Sequence, residues 1–274
     1  MQLIMRYMTR LRGQPSRRCA TLIVGCVFTV SLLGGCASVP KGETYDPIEK
    51  VNRGTFKFND ILDKVLLKPL SEGYIAIVPK KGRMMVSNFF DNALYADTIL
   101  NDFLQGKGAQ GVSDVGRFVI NTTLGVGGFF DPATPIGLEK HEEDFGQTLG
   151  VWGVGQGAYL VLPVYGPNTT RDAPGIAVST ATSGVFWAGV FLAPAVTIPV
   201  SVLSAIDLRS RASNAIRFVN ESALDPYVFT REAWVQHRTF LIYDGNPPEA
   251  DFEDDFGDDE LDSGDTGNGG ASLK

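Results

Sequence analysis

The sequence contains few of the residues on which enzymes and disulfide-bonded proteins depend. Only two histidines and three cysteines occur in 274 residues. Because Cys19 and Cys26 lie in an N-terminal apolar segment, Cys36 alone remains to be explained, and a disulfide framework is excluded. The sequence lacks a Gly-x-Ser-x-Gly nucleophile motif, and neither His141 nor His237 stands beside a plausible nucleophile. It therefore predicts no catalytic residue, no cofactor and no enzymatic activity.

Phosphate-binding and metal-binding patterns are also missing. Gly106-Lys107 has no glycine five residues before it, as a P-loop requires, and the glycine cluster at 150–157 does not fit a dinucleotide fingerprint. His141 is followed by the acidic residues 142–144, but this spacing suits no common metal site. We interpret residues 141–144 as a solvated charged turn, so no metal is expected.

Basic residues are too few for a nucleic-acid-binding protein. Lys and Arg number 24 against 31 Asp and Glu, which leaves a formal charge of −7. Proteins that bind nucleic acid normally present a basic face, so this function is excluded. The hydrophobic content of 44% is enough to form a core, which excludes disorder of the whole chain.

Residues 1–35 have the features of a bacterial lipoprotein signal peptide. Five arginines and no acidic residue accompany a 15-residue apolar run at 19–33, which is too short to favour a membrane span. The run leads to Leu33-Gly34-Gly35-Cys36, the pattern at which a cysteine is acylated and becomes the first mature residue. We predict that Cys36 carries acyl chains such as palmitate, and that Ala37 directs the protein to the outer membrane. An ordinary signal peptide and a signal anchor are the alternatives.

The C-terminal residues 249–274 form an acidic segment that we predict to be a disordered tail. Ten Asp or Glu residues and no Lys or Arg lie between Glu249 and Asp265, so this segment repels itself. A passive solubilising tail and a tail that attracts a basic partner both remain open. The predicted organisation is completed by a linker at 36–45 and a helical domain at 46–248.

The domain is predicted to be mainly helical. Asp46-Pro47-Ile48-Glu49 is typical of a helix start, with Asp46 as the N-cap. Five apolar residues and one threonine then recur at steps of three and four, which predicts one helical face: Ile48, Val51, Thr55, Phe58, Leu62 and Val65. Pro69 and Pro79 are expected to break the chain. Further helices are predicted at 83–91, up to Gln105-Gly106, at 110–124, at 207–220 and at 226–240.

Two stretches depart from this amphipathic pattern. Glycine and proline are frequent between Gly125 and Pro167, which predicts loops with a short hairpin. Residues 173–206 contain no charged side chain, and prolines leave an uninterrupted run at 175–193. This run is long enough to be a buried core helix, a helix within one leaflet or a true span, and these alternatives remain open.

Six segments of the domain carry a family resemblance. They are DPIEKVNRGTFKFNDILDKVLLKPL (46–70), VPKKGRMMVSNFFDN (78–92), LNDFLQGK (100–107), GRFVINTTLGVGGFFDPA (116–133), EDFGQTLGVWGVGQGAYLVLPVYGPNTTRDAPG (143–175) and LDPYVFTREAWVQHRTFLIYDG (224–245). In this order they resemble the MlaA (VacJ) family of outer-membrane lipoproteins. The most specific pieces are Gly-Arg-Phe, Asp-Phe-Gly-Gln-x-Leu-Gly and Gly-Pro-x-x-x-Arg-Asp, whereas 176–222 shows the least resemblance.

The resemblance implies a fold and a function. The expected fold is a ring-like bundle of amphipathic helices in one leaflet of the outer membrane, on its periplasmic side, often beside a trimeric porin. The expected function is to remove phospholipids that have strayed into the outer leaflet, through a central channel, and to pass them to a soluble periplasmic carrier of the MlaC type. A structural porin-associated lipoprotein without transport activity is the alternative, and a lipid hydrolase is a second.

Five residues within the resembling segments are candidates for the channel. Arg53, Arg117 and Arg171 are cations of the motifs, and one or more of them is expected to contact a lipid phosphate. Pairing with an aspartate or capping of a helix end is the alternative for each. Phe129 and Phe130, on a glycine-rich loop, are candidates for an apolar lip of the channel, with ordinary core packing as the alternative.

Overall fold

The computed structural model describes residues 44–192 and 194–248. The predictions for the signal peptide, for Cys36 and for the acidic tail lie outside the described residues. Within the described part, the chain is mainly helical and contains one antiparallel two-stranded hairpin. The predicted fold class, a mainly helical body with a short hairpin in its glycine-rich region, is confirmed.

The elements follow one another along the chain without long gaps. The first half contains α1 (Glu49–Leu62), a π-helical turn (Asp63–Leu67), α2 (Lys68–Ile77), α3 (Lys80–Leu104) and α4 (Gly108–Thr123). The second half contains a 3₁₀ turn (Thr134–Ile136), α5 (Phe145–Val151), β1 (Tyr159–Leu162), β2 (Gly166–Thr169), α6 (Ala173–Thr182), α7 (Gly184–Phe191), α8 (Pro194–Arg211), α9 (Ser213–Ser222) and α10 (Pro226–Ile242).

The start of α1 differs from the prediction. Ile48 occupies the N-cap position and makes no side-chain cap. The carboxylate of Asp46 instead accepts a hydrogen bond from Asn52 Nδ2 at 2.8 Å and another from the Tyr227 hydroxyl. Asp46 as the N-cap is therefore wrong, because contacts with α1 and with the distant helix α10 take up its oxygens.

Of the two predicted proline breaks, one is wrong and one is confirmed. Pro69 lies in the first turn of α2, directly after the π-helical turn, so its missing N–H falls where the helical hydrogen-bond pattern is already irregular. The helical path therefore runs from α1 through the π-helical turn into α2. The break at Pro79 is present, because Val78 is extended with ψ at 119° and α3 begins after the proline.

Helix α3 is one continuous helix of 25 residues where the sequence predicts two shorter ones. Its buried face is polar in the second half, where Asn92, Asp97, Thr98 and Asn101 all lie inside the protein. The apolar periodicity that marks a helix in a sequence is lost there, although the helix continues. The predicted end at Gln105-Gly106 is confirmed, and Gly106 adopts a left-handed φ of 78°.

The glycine-rich region contains the predicted hairpin and one helix that was missed. β1 pairs with β2 in antiparallel register, with Tyr159 opposite Thr169. Helix α5 begins at Phe145 and is capped by Asp144, whose side chain accepts a hydrogen bond from the Gln147 backbone N–H at 3.0 Å. Asp followed three residues later by Gln resembles a capping-box signal, but the frequent glycines concealed it.

The uncharged stretch 173–206 divides into α6, α7 and most of α8. No helix in the described part of the chain has both the length and the apolar character needed to cross a membrane. The predicted helix at 207–220 is divided, because α8 continues to Arg211 and α9 begins at Ser213. The predicted helix at 226–240 is confirmed as α10.

Helix α3 organises the interior. It packs against α4, α5, α6, α7 and α8, while α1 packs against β1 and α10 packs against α5, α9 and β2. The buried apolar cluster is small and consists of Tyr159, Val161 and Tyr227, with Phe56 and Trp234 packed against it. This cluster contains no residue of α3, whose own buried residues are mostly polar.

Polar side chains lie inside and apolar side chains lie outside. Among the described residues, twenty buried side chains are polar or charged and six are hydrophobic. On the predicted stripe, which runs from α1 into the π-helical turn, Val51, Phe58 and Val65 are 63%, 52% and 74% exposed. Water-soluble proteins rarely expose contiguous apolar surface of this kind, so the exterior is suited to an apolar surrounding.

Candidate functional site

Three adjoining cavities are lined in part by residues of α3, and we call them the inner cavities. The first, of about 470 Å³, lies among α3, β2, α6, α7 and α10. The second, of about 240 Å³, lies among α3, α5 and residues 140–144, and shares Leu94 and Asp144 with the first. The third, of about 50 Å³, lies between α3 and α4 and shares Asp91, Tyr95 and Lys140 with the second.

An ion-pair cluster forms one wall of the first cavity. Arg238 of α10 donates to both oxygens of Asp144, at 2.5 and 2.9 Å, and its Nε lies 3.3 Å from Asp172 Oδ2. Arg171 pairs with the other oxygen of Asp172 at 2.7 Å. Burial raises the pKa of Asp144, but the hydrogen bond and charge of Arg238 outweigh it, so the pKa lies below its usual value. This cluster joins α5, α6 and α10.

The ion pair occupies the space that a side chain at position 146 would need, so a glycine is required there. A Cβ at this position would lie 2.4 Å from Asp172 Oδ1 and 2.7 Å from Arg238 Nη2. The Asp-Phe-Gly-Gln and Arg-Asp pieces of the sequence therefore meet at one place. Asp144 caps α5 and pairs with Arg238. Gly146 leaves room for Asp172 to approach, and Asp172 is the second carboxylate that pairs with Arg238.

The second cavity has acidic walls. Five carboxylates line it together with two potentially cationic side chains, Lys140 and His141: Asp91, Asp97, Glu142, Glu143 and Asp144. Asp97 is 8% exposed, and burial raises its pKa above the usual value. The predicted solvated turn at 141–144 is wrong for Glu143, which is also 8% exposed.

Two buried carboxylates lie together between α3 and α4. Asp102 and Asp114 are fully buried, and burial, followed by the Asp114 carboxylate, raises the pKa of Asp102 to about 7. Asp102 accepts a hydrogen bond from Gln110 at 2.7 Å, while Asp114 accepts one from the Tyr95 hydroxyl at 2.9 Å and contacts His141 Nδ1 at 3.0 Å. Among the described residues, no acidic, histidine or cysteine cluster has the arrangement of a metal site.

The three predicted arginines lie in different surroundings. Arg117 lines the third cavity, where it donates to Asp131 at 2.6 Å and to the Leu138 carbonyl at 2.6 Å. Arg171 is buried against Asp172 beside the first cavity. Arg53 lies apart from the inner cavities, paired with Glu49 and Asp225 on the surface of α1. Contact of these arginines with a lipid phosphate stays a prediction.

The two predicted phenylalanines are both partly exposed. The Phe129 ring stacks on Phe89 at a centroid distance of 4.9 Å, and 37% of Phe129 remains exposed. Phe130 is 50% exposed. Their role as a channel lip stays a prediction. The residues that sequence reasoning missed are Asp97, Gln147 and Arg238, of which only Gln147 belongs to a recognisable capping motif.

The outer surface near the first cavity is apolar and aromatic. On α7, Trp187 is 48% and Phe191 is 80% exposed, and their rings stack at 6.3 Å. At the C-terminal end of α2, Ile77 is 82% exposed. Buried polar side chains beneath an exposed apolar surface are typical of the class of helical protein whose surface contacts lipid, because lipid solvates apolar side chains whereas buried polar groups need partners within the protein.

Comparison with known proteins places the chain within this class. The family model described as MlaA lipoprotein matches residues 44–241. The chain is 34% identical over 244 residues to the intermembrane phospholipid transport system lipoprotein MlaA of Escherichia coli, which covers 83% of this chain and 94% of that protein. The protein of the same name from Haemophilus influenzae is 31% identical over 230 residues, covering 81% and 91%. The chain belongs to the MlaA lipoprotein family.

A solved structure shows the same fold. It comes from work on the structural basis for maintenance of bacterial outer membrane lipid asymmetry. The TM-score is 0.62 at 33% sequence identity, and the match covers 72% of this chain and 98% of the solved chain. The recognition made from sequence is therefore confirmed, and the mainly helical fold is that of the family.

Proposed function

We propose that this protein is an outer-membrane lipoprotein that removes mislocalised phospholipid from the outer leaflet and so maintains lipid asymmetry. The observation that carries the proposal is the inversion of polarity, with most buried side chains polar or charged and many large apolar side chains exposed. The relatives in Escherichia coli and Shigella flexneri, named as lipoproteins of an intermembrane phospholipid transport system, support it. The anchor is the acylated Cys36, and the body lies in the periplasmic leaflet.

A phospholipid needs this division between a polar route and an apolar surround. Its charged head group is costly to place in hydrocarbon, so a passage between leaflets must offer polar groups along the way. The first and second cavities offer charged and hydroxyl-bearing walls, while the apolar faces of α1 and α7 contact acyl chains. We propose the inner cavities as the channel, with a trimeric porin beside the protein and a soluble periplasmic carrier of the MlaC type receiving the lipid.

Filling the first cavity tests the proposal. Thr180 lines this cavity, whereas Thr123 of α4 lies outside the inner cavities, and each is an exposed helical threonine whose hydroxyl bonds the carbonyl four residues earlier. In cells lacking the gene, we expect Thr123→Trp to restore outer-leaflet asymmetry and Thr180→Trp to leave phospholipid at the cell surface. The measurement is labelling of cells with an amine-reactive reagent that does not cross the outer membrane.

The outcomes separate the competing functions. A porin scaffold without transport activity predicts that loss of the gene leaves surface phospholipid unchanged. A lipid hydrolase predicts release of fatty acid or head group by the purified protein, which a lipase assay detects. Full restoration of asymmetry by Thr180→Trp contradicts the assignment of the inner cavities as the channel.

Two phenylalanines on α1 test the seating in lipid. The Phe56 ring packs edge-on against Tyr227 at 5.6 Å, whereas Phe58 is 52% exposed on the apolar stripe. Phe56→Asp places a carboxylate in the apolar cluster at a cost of several kcal/mol, so we expect loss of the folded state in detergent. Phe58→Asp should keep the folded state but weaken binding to lipid vesicles. Circular dichroism and vesicle flotation measure the two effects, and equal unfolding of both variants contradicts this placement of the stripe.

A further inference from the structure

Asp97 is a buried carboxylate without a cation. It lies on α3 at the wall of the second cavity, and it accepts hydrogen bonds from Ser179 at 2.5 Å, Thr182 at 3.2 Å and Asn101 at 3.2 Å. Ser179 itself lines the first cavity, so Asp97 lies where the two cavities adjoin. Among the described residues, Asp97 takes part in no ion pair. A buried charge without a partner is costly, so the position favours a cationic group from outside the protein.

The other carboxylates of the second cavity already have cationic partners. Lys140 lies 2.8 Å from Asp91 and 3.4 Å from Glu142. Lys107 pairs with Glu143 at 2.8 Å, and Arg238 pairs with Asp144. Asp97 is thus distinguished from its acidic neighbours by the lack of a countercharge, and the negative charge of Asp144 close to it adds to this imbalance.

Gln147 provides an unused acceptor in the same cavity. It is 2% exposed, and its Nε2 donates to the Glu142 carbonyl at 3.0 Å and to Asp144 at 3.4 Å. These two acceptors fix the orientation of the amide, which leaves Oε1 as the free oxygen. Oε1 is buried and has no donor among the described residues. A buried acceptor without a donor favours a ligand that carries N–H or O–H groups.

We propose that Asp97 and Gln147 bind the primary ammonium group of a phospholipid head group as it passes from one cavity to the next. A primary ammonium group combines the positive charge that Asp97 lacks with N–H donors for the Gln147 carbonyl. This proposal rests on the proposed function. The site favours phosphatidylethanolamine over anionic phosphatidylglycerol. It also disfavours phosphatidylcholine, whose quaternary nitrogen carries a charge but no N–H.

The test measures which lipid the mature acylated protein retains from mixed detergent micelles. The micelles contain equal amounts of phosphatidylethanolamine, phosphatidylglycerol and N-acetylated phosphatidylethanolamine, and bound lipid is counted by native mass spectrometry. For the wild-type protein we expect the amount of bound phosphatidylethanolamine to exceed that of each other lipid by about tenfold. This is the factor in affinity that one charge-assisted hydrogen bond contributes. Asp97→Asn, which keeps the shape and removes the charge, should reduce the ratio towards one.

The control is Glu139→Gln, which makes the same change of charge at an exposed carboxylate outside the inner cavities. It should retain the wild-type ratio. Equal retention of the three lipids by the wild-type protein overturns the ammonium site and leaves the proposed function standing. Retention of no lipid contradicts the proposed function itself. If Asp97→Asn fails to fold, the comparison of phosphatidylethanolamine with its N-acetylated form on the wild-type protein decides, because that lipid keeps the phosphate and both acyl chains but has a small neutral amide in place of the ammonium group.

Discussion

Replacement of Arg238 by methionine is expected to lower the free energy of unfolding by about 2–4 kcal/mol, less than for a fully buried pair because 35% of the Asp144 side chain is exposed. Arg238 is 8% exposed and lies between the carboxylates of Asp144 and Asp172. Methionine fills part of the space but leaves Asp144 without a cation and Asp172 with only its partner Arg171. A buried carboxylate that loses its partner costs far more than the net stabilisation by the pair.

The expected pH dependence follows from the lowered pKa of Asp144. A carboxyl group whose pKa is lower in the folded state stabilises the protein above its unfolded pKa of about 4, and this contribution is lost as the pH falls through the folded value. The wild-type protein has this contribution and the variant lacks it. The difference in unfolding free energy should therefore be largest at neutral pH and should shrink as the pH falls below about 4.

Denaturant unfolding in detergent, followed by circular dichroism, measures this difference. Arg217→Met on α9 is the matched control, because Arg217 is exposed and makes no ion pair within the described part of the chain. We expect the control to stay within about 0.5 kcal/mol of wild type. The double variant Arg238→Met with Asp144→Asn should recover part of the loss, since it removes the unpaired charge. A loss equal to that of Arg217→Met contradicts the structural importance of the cluster.

Replacement of Asp102 by asparagine is expected to stabilise the protein at neutral pH by about 2–4 kcal/mol. Asp102 is fully buried beside Asp114, and its pKa is raised to about 7. Asparagine can accept the hydrogen bond from Gln110 through its oxygen and donate one to Asp114 through its amide nitrogen. It therefore reproduces the protonated form of Asp102 without the need to hold a proton.

The sign of the pH effect is opposite to that at Asp144. A carboxyl group whose pKa is higher in the folded state destabilises the folded protein as the pH rises from about 4 to about 7. The titratable groups around Asp102 are Asp114 of α4, Glu143 and His141 of the loop before α5, and Lys107, which pairs with Glu143. The advantage of Asp102→Asn should be near zero at pH 4 and complete above pH 7, a range bounded by the two pKa values.

Thermal and denaturant unfolding at several pH values check this prediction. Asp60→Asn is the control, because Asp60 is a partly exposed carboxylate whose one ion pair within the described part of the chain is with Lys64 of the following π-helical turn, at 2.8 Å. It should produce no gain in stability at any pH. A destabilised Asp102→Asn variant at pH 8 contradicts the raised pKa of Asp102.

Several elements were predictable because their signals are local in the chain. The end of α3 at Gly106, the hairpin at 159–169 and helix α10 each depend on turn chemistry or periodicity within a few residues. The continuity of α3 was not predictable, because its buried face carries Asn92, Asp97 and Asn101 where helix periodicity expects apolar residues. Aspartate is a favoured residue at an N-cap, but the Asp46 carboxylate instead accepts a hydrogen bond from Tyr227, far along the chain.

The inner cavities show the same limit. The motif around Asp144 was visible in the sequence, yet its partner Arg238 is 94 residues away and belongs to no motif with it. Asp97 and Gln147 come to one cavity only because α3 and α5 pack against each other. Contacts between residues distant in the chain depend on tertiary packing, which spacing does not encode.

By itself, the sequence determined the family, the mainly helical class and the amphipathic spacing of α1. Only the tertiary structure decided which face of each helix points inward. Periodicity shows that Val51, Phe58 and Val65 share one face, but it is equally consistent with that face being buried or exposed. The structure places this face outside and places Asn52 of the same helix fully inside, hydrogen-bonded to the Tyr159 carbonyl at 3.0 Å. The physical reason is that lipid solvates apolar side chains, whereas buried polar groups are stable only where they find partners within the protein.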